Sequence, residues 1–271
     1  MNEDHIRHLD FIKGIPQHPQ KSQQWLEQRV GRLTSSDAAT ALGINPYKKP
    51  VELLLEKCGS GKKFTGNEAT EHGNKYEDEA IDKYAKLMGK ENHTFGLISF
   101  ESLDKLRLNK DNSKKYVDVK YSFLAGSPDG IAIDITNSEK LLMLEVKCPM
   151  RRKIKHGQIP SYYYPQVQLN MFILDLDIAD FIEYIPGPQM ELNIVRVQRS
   201  DEWLEKNMPI LQSFWENVLD WKQRDITTHP EYNKYYQKPT VAKICPDFLF
   251  IDTDEERPSS SSSIIDINMF E

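Results

Sequence analysis

The sequence predicts an α/β (α+β) fold, and three observations carry that reading. Segments rich in Val, Ile, Phe and Tyr crowd the middle of the chain, at 94–100, 116–125, 130–136 and 141–147, and read as strands. Helical periodicity lies on either side of them, over 67–88 and 201–221. The 271 residues, 39% hydrophobic and 28% charged, are enough for a packed core and exclude global disorder.

KSQQWLEQR, residues 21–29, reads as a short helix. Thr34, Ser35 or Ser36 can cap another over 37–42, which Gly43 ends. Asn45-Pro46 marks a turn, and Pro50 sits in the first turn of a helix over 50–58. A loop with glycines and lysines follows over 59–67. Within 67–88, Tyr76, Ala80, Tyr84 and Met88 recur every four residues as an apolar stripe, with Glu77 and Ile81 beside it, and Gly89 closes the pattern. The central strands are separated by turns at 109–115 and 137–140. A helix follows over 161–174, with Pro165 at its first turn or breaking its first part. Strands at 179–185 and 191–198 flank Pro186-Gly187-Pro188. Trp203, Leu204, Phe214, Trp215, Val218 and Trp221 give 201–221 one apolar side, with Pro209 as a kink. No internal repeat is present. The chain divides into one domain, 1–251, and a flexible acidic tail, 252–271, whose five consecutive serines cannot build a packed core.

Composition narrows the function. Three scattered cysteines cannot form a disulfide framework, a zinc finger or a four-cysteine cluster. No apolar run reaches the roughly 18 residues needed to span a bilayer, and the N-terminus lacks a signal-peptide core, so a soluble intracellular protein with no membrane partner is expected. No GxxxxGK[ST] phosphate cradle occurs. The net charge is −6, but the tail carries most of it, leaving a nearly neutral body that can hold a basic groove beside an acidic site.

Glu145 and Lys147 lie two apart on an expected strand, so both side chains share one face. Asp129 stands in a Ser-Pro-Asp-Gly turn before another strand. Where those strands neighbour each other, Asp129 and Glu145 can converge on a magnesium or manganese ion, with the backbone carbonyl of Val146 as a further oxygen ligand. Such an ion can polarise a phosphodiester and bind the attacking water, and the Lys147 ammonium can stabilise the developing charge. The short pattern is weak by itself. Asp118 with Lys120 and Asp220 with Lys222 repeat it without a Pro-Asp-Gly turn, and a strand salt bridge, a turn aspartate and a solvated Glu77 are the ordinary readings. Arg151, Arg152 and Lys153 belong to the densest basic run and suit DNA backbone rather than bases.

Four segments in order resemble the phage lambda exonuclease and YqaJ-type viral recombinase group of the PD-(D/E)xK nucleases. They are WLEQR (25–29) followed by LTSSDAATALGINPY (33–47), HGNKYEDEA (72–80), GSPDG (126–130) followed by LEVKCP (144–149), and YPQVQLNMFI (164–173). The resemblance implies a restriction-endonuclease-like core with a central mixed sheet flanked by helices. It implies Glu77, Asp129, Glu145 and the Val146 carbonyl as metal ligands, Lys147 as the catalytic lysine, and Gln166, with Gln168, as positioning groups. Arg29 and Ser36 would anchor a DNA 5′ phosphate with Trp25 beside them, making the N-terminal helical segment a 5′-phosphate-binding part of the nuclease domain. The implied activity is Mg²⁺-dependent 5′→3′ digestion of linear duplex DNA in viral or phage recombination and repair, with Mn²⁺ able to substitute. A homotrimer and a single-strand annealing protein are the implied partners. A structure-specific endonuclease and a non-catalytic DNA-binding scaffold are the alternatives.

Overall fold

The computed structural model describes residues 3–60, 66–104, 106, 121–133, 140–236 and 262–264. The chain opens with α1 (Glu3–Lys13) and α2 (Gln23–Val30), then β1 (Leu33–Thr34), a 3₁₀ turn at Ser35–Asp37, α3 (Ala38–Ala41), α4 (Pro50–Lys57) and α5 (Glu68–Met88). Next come β2 (Glu91–His93), β3 (Ile98–Ser99), β4 (Leu124–Gly126), β5 (Gly130–Ile133) and β6 (Leu141–Lys147). The chain continues with α6 (Tyr164–Leu174), β7 (Ile178–Ile185), β8 (Glu191–Gln198), α7 (Asp201–Lys222), α8 (Tyr232–Tyr236) and β9 (Ser262–Ile264).

The main sheet has the order β2-β5-β6-β7-β8-β9, with β6 and β7 parallel and the other neighbours antiparallel. A parallel pair needs a long crossover, and α6 lies within it. A small sheet, β1-β4-β3, stands beside it. One face of the main sheet packs on α5, where Ala80, Ile81 and Tyr84 meet Leu142, Leu144 and Val146. The other face buries Leu141, Met143 and Phe181 with Val167 and Met171 of α6. A third cluster joins Leu169, Phe172 and Ile173 of α6 to α4 and α7 through Leu53, Leu54, Leu211 and Trp215. Apolar packing on several sides makes α6 a central helix, which explains why its sequence lacks a simple amphipathic stripe.

The expected mixed sheet with flanking helices is present. Helix α5 is capped by the Asn67 side chain and ends at Gly89 in the left-handed region, and Pro165 lies in the first turn of α6. The helix expected over 161–174 begins at Tyr164, and α7 runs through Pro209. The strand expected over 94–100 is reduced to β3. Its backbone is taken by side chains instead: Gln17 accepts from the Gly96 amide, and Gln20 donates to the Phe95 carbonyl. The expected strand 116–125 appears as Leu124–Gly126, and 130–136 as Gly130–Ile133, with 116–120 and 134–136 outside the described residues. Helix α1, which buries His8, Leu9 and Ile12, was not expected. Ser262–Ile264, assigned by composition to the flexible tail, pair with Val195–Val197 of β8; the rest of 252–271 lies outside the described residues.

Candidate active site

The C-terminal half of β6 presents Glu145 and Lys147 on the face covered by α6. Glu145 is fully buried, and Lys147 donates to its Oε1. Gln166 of α6 donates to the same oxygen, and one turn later Asn170 donates to Oε2 at 3.1 Å. Residues four apart on a helix share a face, whereas residues two apart do not. Gln168 therefore points elsewhere: its amide donates to the Gln198 carbonyl and accepts from the Ser200 amide, tying α6 to the start of α7. This removes Gln168 from the expected site. Asn170 takes its place, and its helical spacing from Gln166 is the signal that could have found it. Close packing leaves no room beside it, since a Cβ on Gly126 would lie 2.3 Å from Asn170 Oδ1.

Asp129 enters from the turn before β5. The Asp129 amide donates to the Leu144 carbonyl, and its Oδ2 accepts from the Val146 amide at 2.6 Å. In an extended strand the N–H and C=O of one residue point to the same edge, so the Val146 carbonyl faces the Asp129 side of β6. Glu77 comes from α5 on the opposite face of the sheet. It shares with Asp129 a cleft of about 610 Å³ that Lys21 also lines, and Lys21 Nζ lies 3.9 Å from Glu77 Oε2.

The charges are unevenly matched. Burial, reinforced by Asp129, pushes the Glu145 carboxyl up to about 7 against the pull of Lys147. Burial likewise raises Asp129 and Glu77, and Asp129 raises Glu77 further. Burial alone would lower the Lys147 ammonium, but Glu145 and Asp129 override it and hold it protonated. Once ionised, three carboxyl groups against Lys147 and the exposed Lys21 leave surplus negative charge, which a divalent cation fits. Among the described residues no three His, Cys, Asp or Glu side chains close around one point. Asp129, Glu145 and the Val146 carbonyl are thus the donors that fit, with Glu77 across the cleft rather than in a three-carboxylate cage. Magnesium commonly takes one or two carboxylates and keeps waters, so this set suffices. Cys148 supplies no rival nucleophile, because burial and Glu77 push its thiol up to about 12. The Tyr163 ring centroid lies 5.3 Å from Lys147 Nζ and forms a further wall, unread in the sequence.

A second group gathers at the start of α3. The Arg29 guanidinium stacks 4.4 Å from the Trp25 ring and donates to the exposed Ser36 hydroxyl at 2.8 Å. Burial lowers the Arg29 pKa, with Asp37 and Glu56 opposing, and a partly desolvated guanidinium favours an added anion. Lys57 braces the group, bonding the Arg29 carbonyl at 2.9 Å and Asp37 Oδ2 at 2.8 Å. Trp25 Nε1 donates to Ser127 Oγ at 3.1 Å, which links this group to the turn that carries Asp129.

The basic run is less available than its sequence implies. Arg152 is consumed by buried Glu183, and Arg151 pairs with exposed Glu68 at 2.8 Å, while Lys153 is exposed. Strand β7 places Glu183 opposite Lys147, so Arg152 neutralises a buried carboxylate and cannot serve as a free phosphate contact.

Residues 24–177 match the YqaJ-like viral recombinase domain family. An uncharacterised protein of Acanthamoeba polyphaga mimivirus is 35% identical over 186 residues, covering 65% of this chain and 31% of that protein. A protein of African swine fever virus is 28% identical over 167 residues, covering 58% of this chain and 46% of that protein. The chain thus spans about a third to a half of the length of these relatives. An alkaline exonuclease from Laribacter hongkongensis shares the fold, with a TM-score of 0.56 and 20% identity over 74% of this chain and 95% of its own. The same exonuclease in complex with dAMP gives a TM-score of 0.55 at 18% identity, with the same coverage.

Proposed function

The chain belongs to the YqaJ-like viral recombinase family, and from that premise we propose that it is a divalent-metal-dependent deoxyribonuclease that digests linear duplex DNA from its ends in the 5′→3′ direction. The observation that carries this reading is the Trp25–Ser127 hydrogen bond, which joins the Arg29–Ser36 group to the turn bearing Asp129. An end held by Arg29 and Ser36 would present a nearby phosphodiester to Asp129, Glu145 and Lys147. The neighbour that binds dAMP supports a nucleotide substrate class.

Asp129, Glu145 and the Val146 carbonyl would hold Mg²⁺, or Mn²⁺ in its place, and the ion would supply charge neutralisation and a more acidic water. The remaining chemistry belongs to the chain. The Lys147 ammonium stays protonated beside Glu145 and so stabilises phosphate charge; it accepts no proton. Gln166 holds Glu145 Oε1 through its amide nitrogen, leaving its own oxygen to orient a water. Asn170 fixes the other carboxylate oxygen. Arg29 offers a planar fork to a terminal phosphate. In this reading a 5′-phosphorylated nucleotide leaves at each step. A homotrimer encircling the duplex and a single-strand annealing partner complete the proposed recombination role, which the family's description as a viral recombinase domain supports only as a class.

The test is digestion, in Mg²⁺, of linear duplexes labelled separately at each 5′ and 3′ end, beside a covalently closed circle. The reading expects short 5′-terminal products and an intact circle. Cleavage of the circle would favour an endonuclease, and binding without cleavage in Mg²⁺ and Mn²⁺ a scaffold.

A further inference from the structure

Lys21 lies on the segment joining α1 to α2, outside the region that matches the family. Its φ is +69°, a conformation that glycine adopts freely and lysine does not. Strain of this kind persists where the surroundings over-determine the backbone, and here they do. Gln17 accepts from the Gly96 amide at 2.7 Å, and Gln20 donates to the carbonyls of Phe95 at 2.9 Å and Pro128 at 3.3 Å. The His18 carbonyl passes so close to Gly96 that a Cβ there would lie 2.3 Å away. The strap is thereby stitched to the residue preceding Asp129. It delivers the Lys21 ammonium to the cleft between Glu77 and Asp129, 3.9 Å from Glu77 Oε2. The Lys21 side chain is 56% exposed, so it can leave Glu77 without losing a packed position. Lys13 lines the same cleft, as does Asp78.

We propose that Lys21 is a second phosphate-contacting lysine of the cleavage site, paired with Glu77 until a divalent cation occupies the carboxylates and then released to a DNA phosphate. The inference rests on the nuclease reading and deepens it. A lysine from each side would grip the substrate: Lys147 from beneath, on the sheet, and Lys21 from the strap.

The positive φ supplies a clean test, because Lys21→Gly removes the ammonium while relieving the backbone, so folding is preserved. Lys21→Arg keeps the charge. Duplex binding in Ca²⁺ across a salt series, cleavage in Mg²⁺, and Mn²⁺ binding to the DNA-free protein are measured for each. Lys21→Gly is expected to reduce the slope of log affinity against log salt by about one, the loss of one phosphate contact. It is expected to raise KM more than it lowers kcat, with Lys21→Arg restoring both. It is also expected to tighten Mn²⁺ binding about two- to fivefold, because an ammonium that acts on both Asp129 and Glu77 no longer opposes a cation in the cleft. A wild type that cleaves DNA while Lys21→Gly keeps its salt slope and KM would overturn the role of Lys21 alone. Weaker Mn²⁺ binding in Lys21→Gly would overturn the exchange at Glu77. A wild type that neither binds nor cleaves duplex DNA would overturn both this inference and the nuclease reading.

Discussion

Glu145 holds three side-chain donors on two oxygens with no solvent contact, and this sets its response to protons and cations. In the metal-free protein its carboxyl keeps a proton to about pH 7, against the ordinary 4.5 when unfolded. The native state therefore binds more protons across that interval, and stability falls as pH rises from about 4.5 to about 7. Asp129 and Glu77, also raised by burial, act with the same sign. His93, lowered by burial, acts in the opposite sense but is no candidate ligand, so the cation-dependent part of the slope isolates the site. Thermal unfolding at pH 5 and pH 8, in EDTA and in Mg²⁺, should show Mg²⁺ stabilising at pH 8 far more than at pH 5. Equal effects at both pH values would argue against a cation on these carboxylates. Asn170 and Gln168 offer a second contrast. Asn170→Ala frees Glu145 Oε2 and should cost about 10- to 100-fold in cleavage and raise the metal requirement. Gln168→Ala should cost about 1 kcal/mol of stability with little change in the metal requirement. The two variants behaving alike in metal titrations would undo the assignment.

At the scale of elements, the proposed function makes α2 and the strap the parts that would set how a DNA end meets the sheet. Arg29→Ala should reduce the preference for 5′-phosphate over 5′-hydroxyl ends, read as the ratio of initial rates, because a charged fork is lost. An unchanged ratio, in a protein that does discriminate, would put the anchor elsewhere. Gly96→Ala should destabilise by about 1–3 kcal/mol in urea unfolding, since its Cβ would meet the His18 backbone. The elements with strong periodicity or punctuation were legible in the sequence. Strands β6, β7 and β8 and helices α5 and α7 fall within a residue of their expected limits. Strand 94–100 was misread because glutamine side chains from a remote strap take its backbone, and no local pattern reports that. Asp129, Glu145, Lys147 and Gln166 were legible because short motifs carry them. Lys21, Lys57 and Ser127 were not, since each joins the site through tertiary contact. Gln168 came only from the family resemblance, and helical geometry turns it away from Gln166, toward the Gln198 carbonyl and the Ser200 amide. Arg152 was misplaced because its buried partner, Glu183, lies 31 positions further along the chain.

At the scale of the whole molecule, the site stands on β6 in the middle of the main sheet and β9 at its edge, with β7 and β8 between them. Removing 252–271 should therefore spare cleavage of short duplexes. A truncated protein that remains folded and cannot cleave them would show that the tail serves the site. The central claim is that the buried carboxylate–lysine centre on β6 breaks the DNA strand whose end the Arg29 group holds. Single-turnover cleavage of a 5′-phosphorylated linear duplex by Lys147→Ala in saturating Mg²⁺ tests it most directly. The account predicts a rate lower by about 10²- to 10³-fold, the cost of removing one preorganised charge from the scissile phosphate, with duplex binding and the unfolding temperature nearly unchanged. A rate within a few-fold of wild type, in a protein that binds and folds normally, would contradict it.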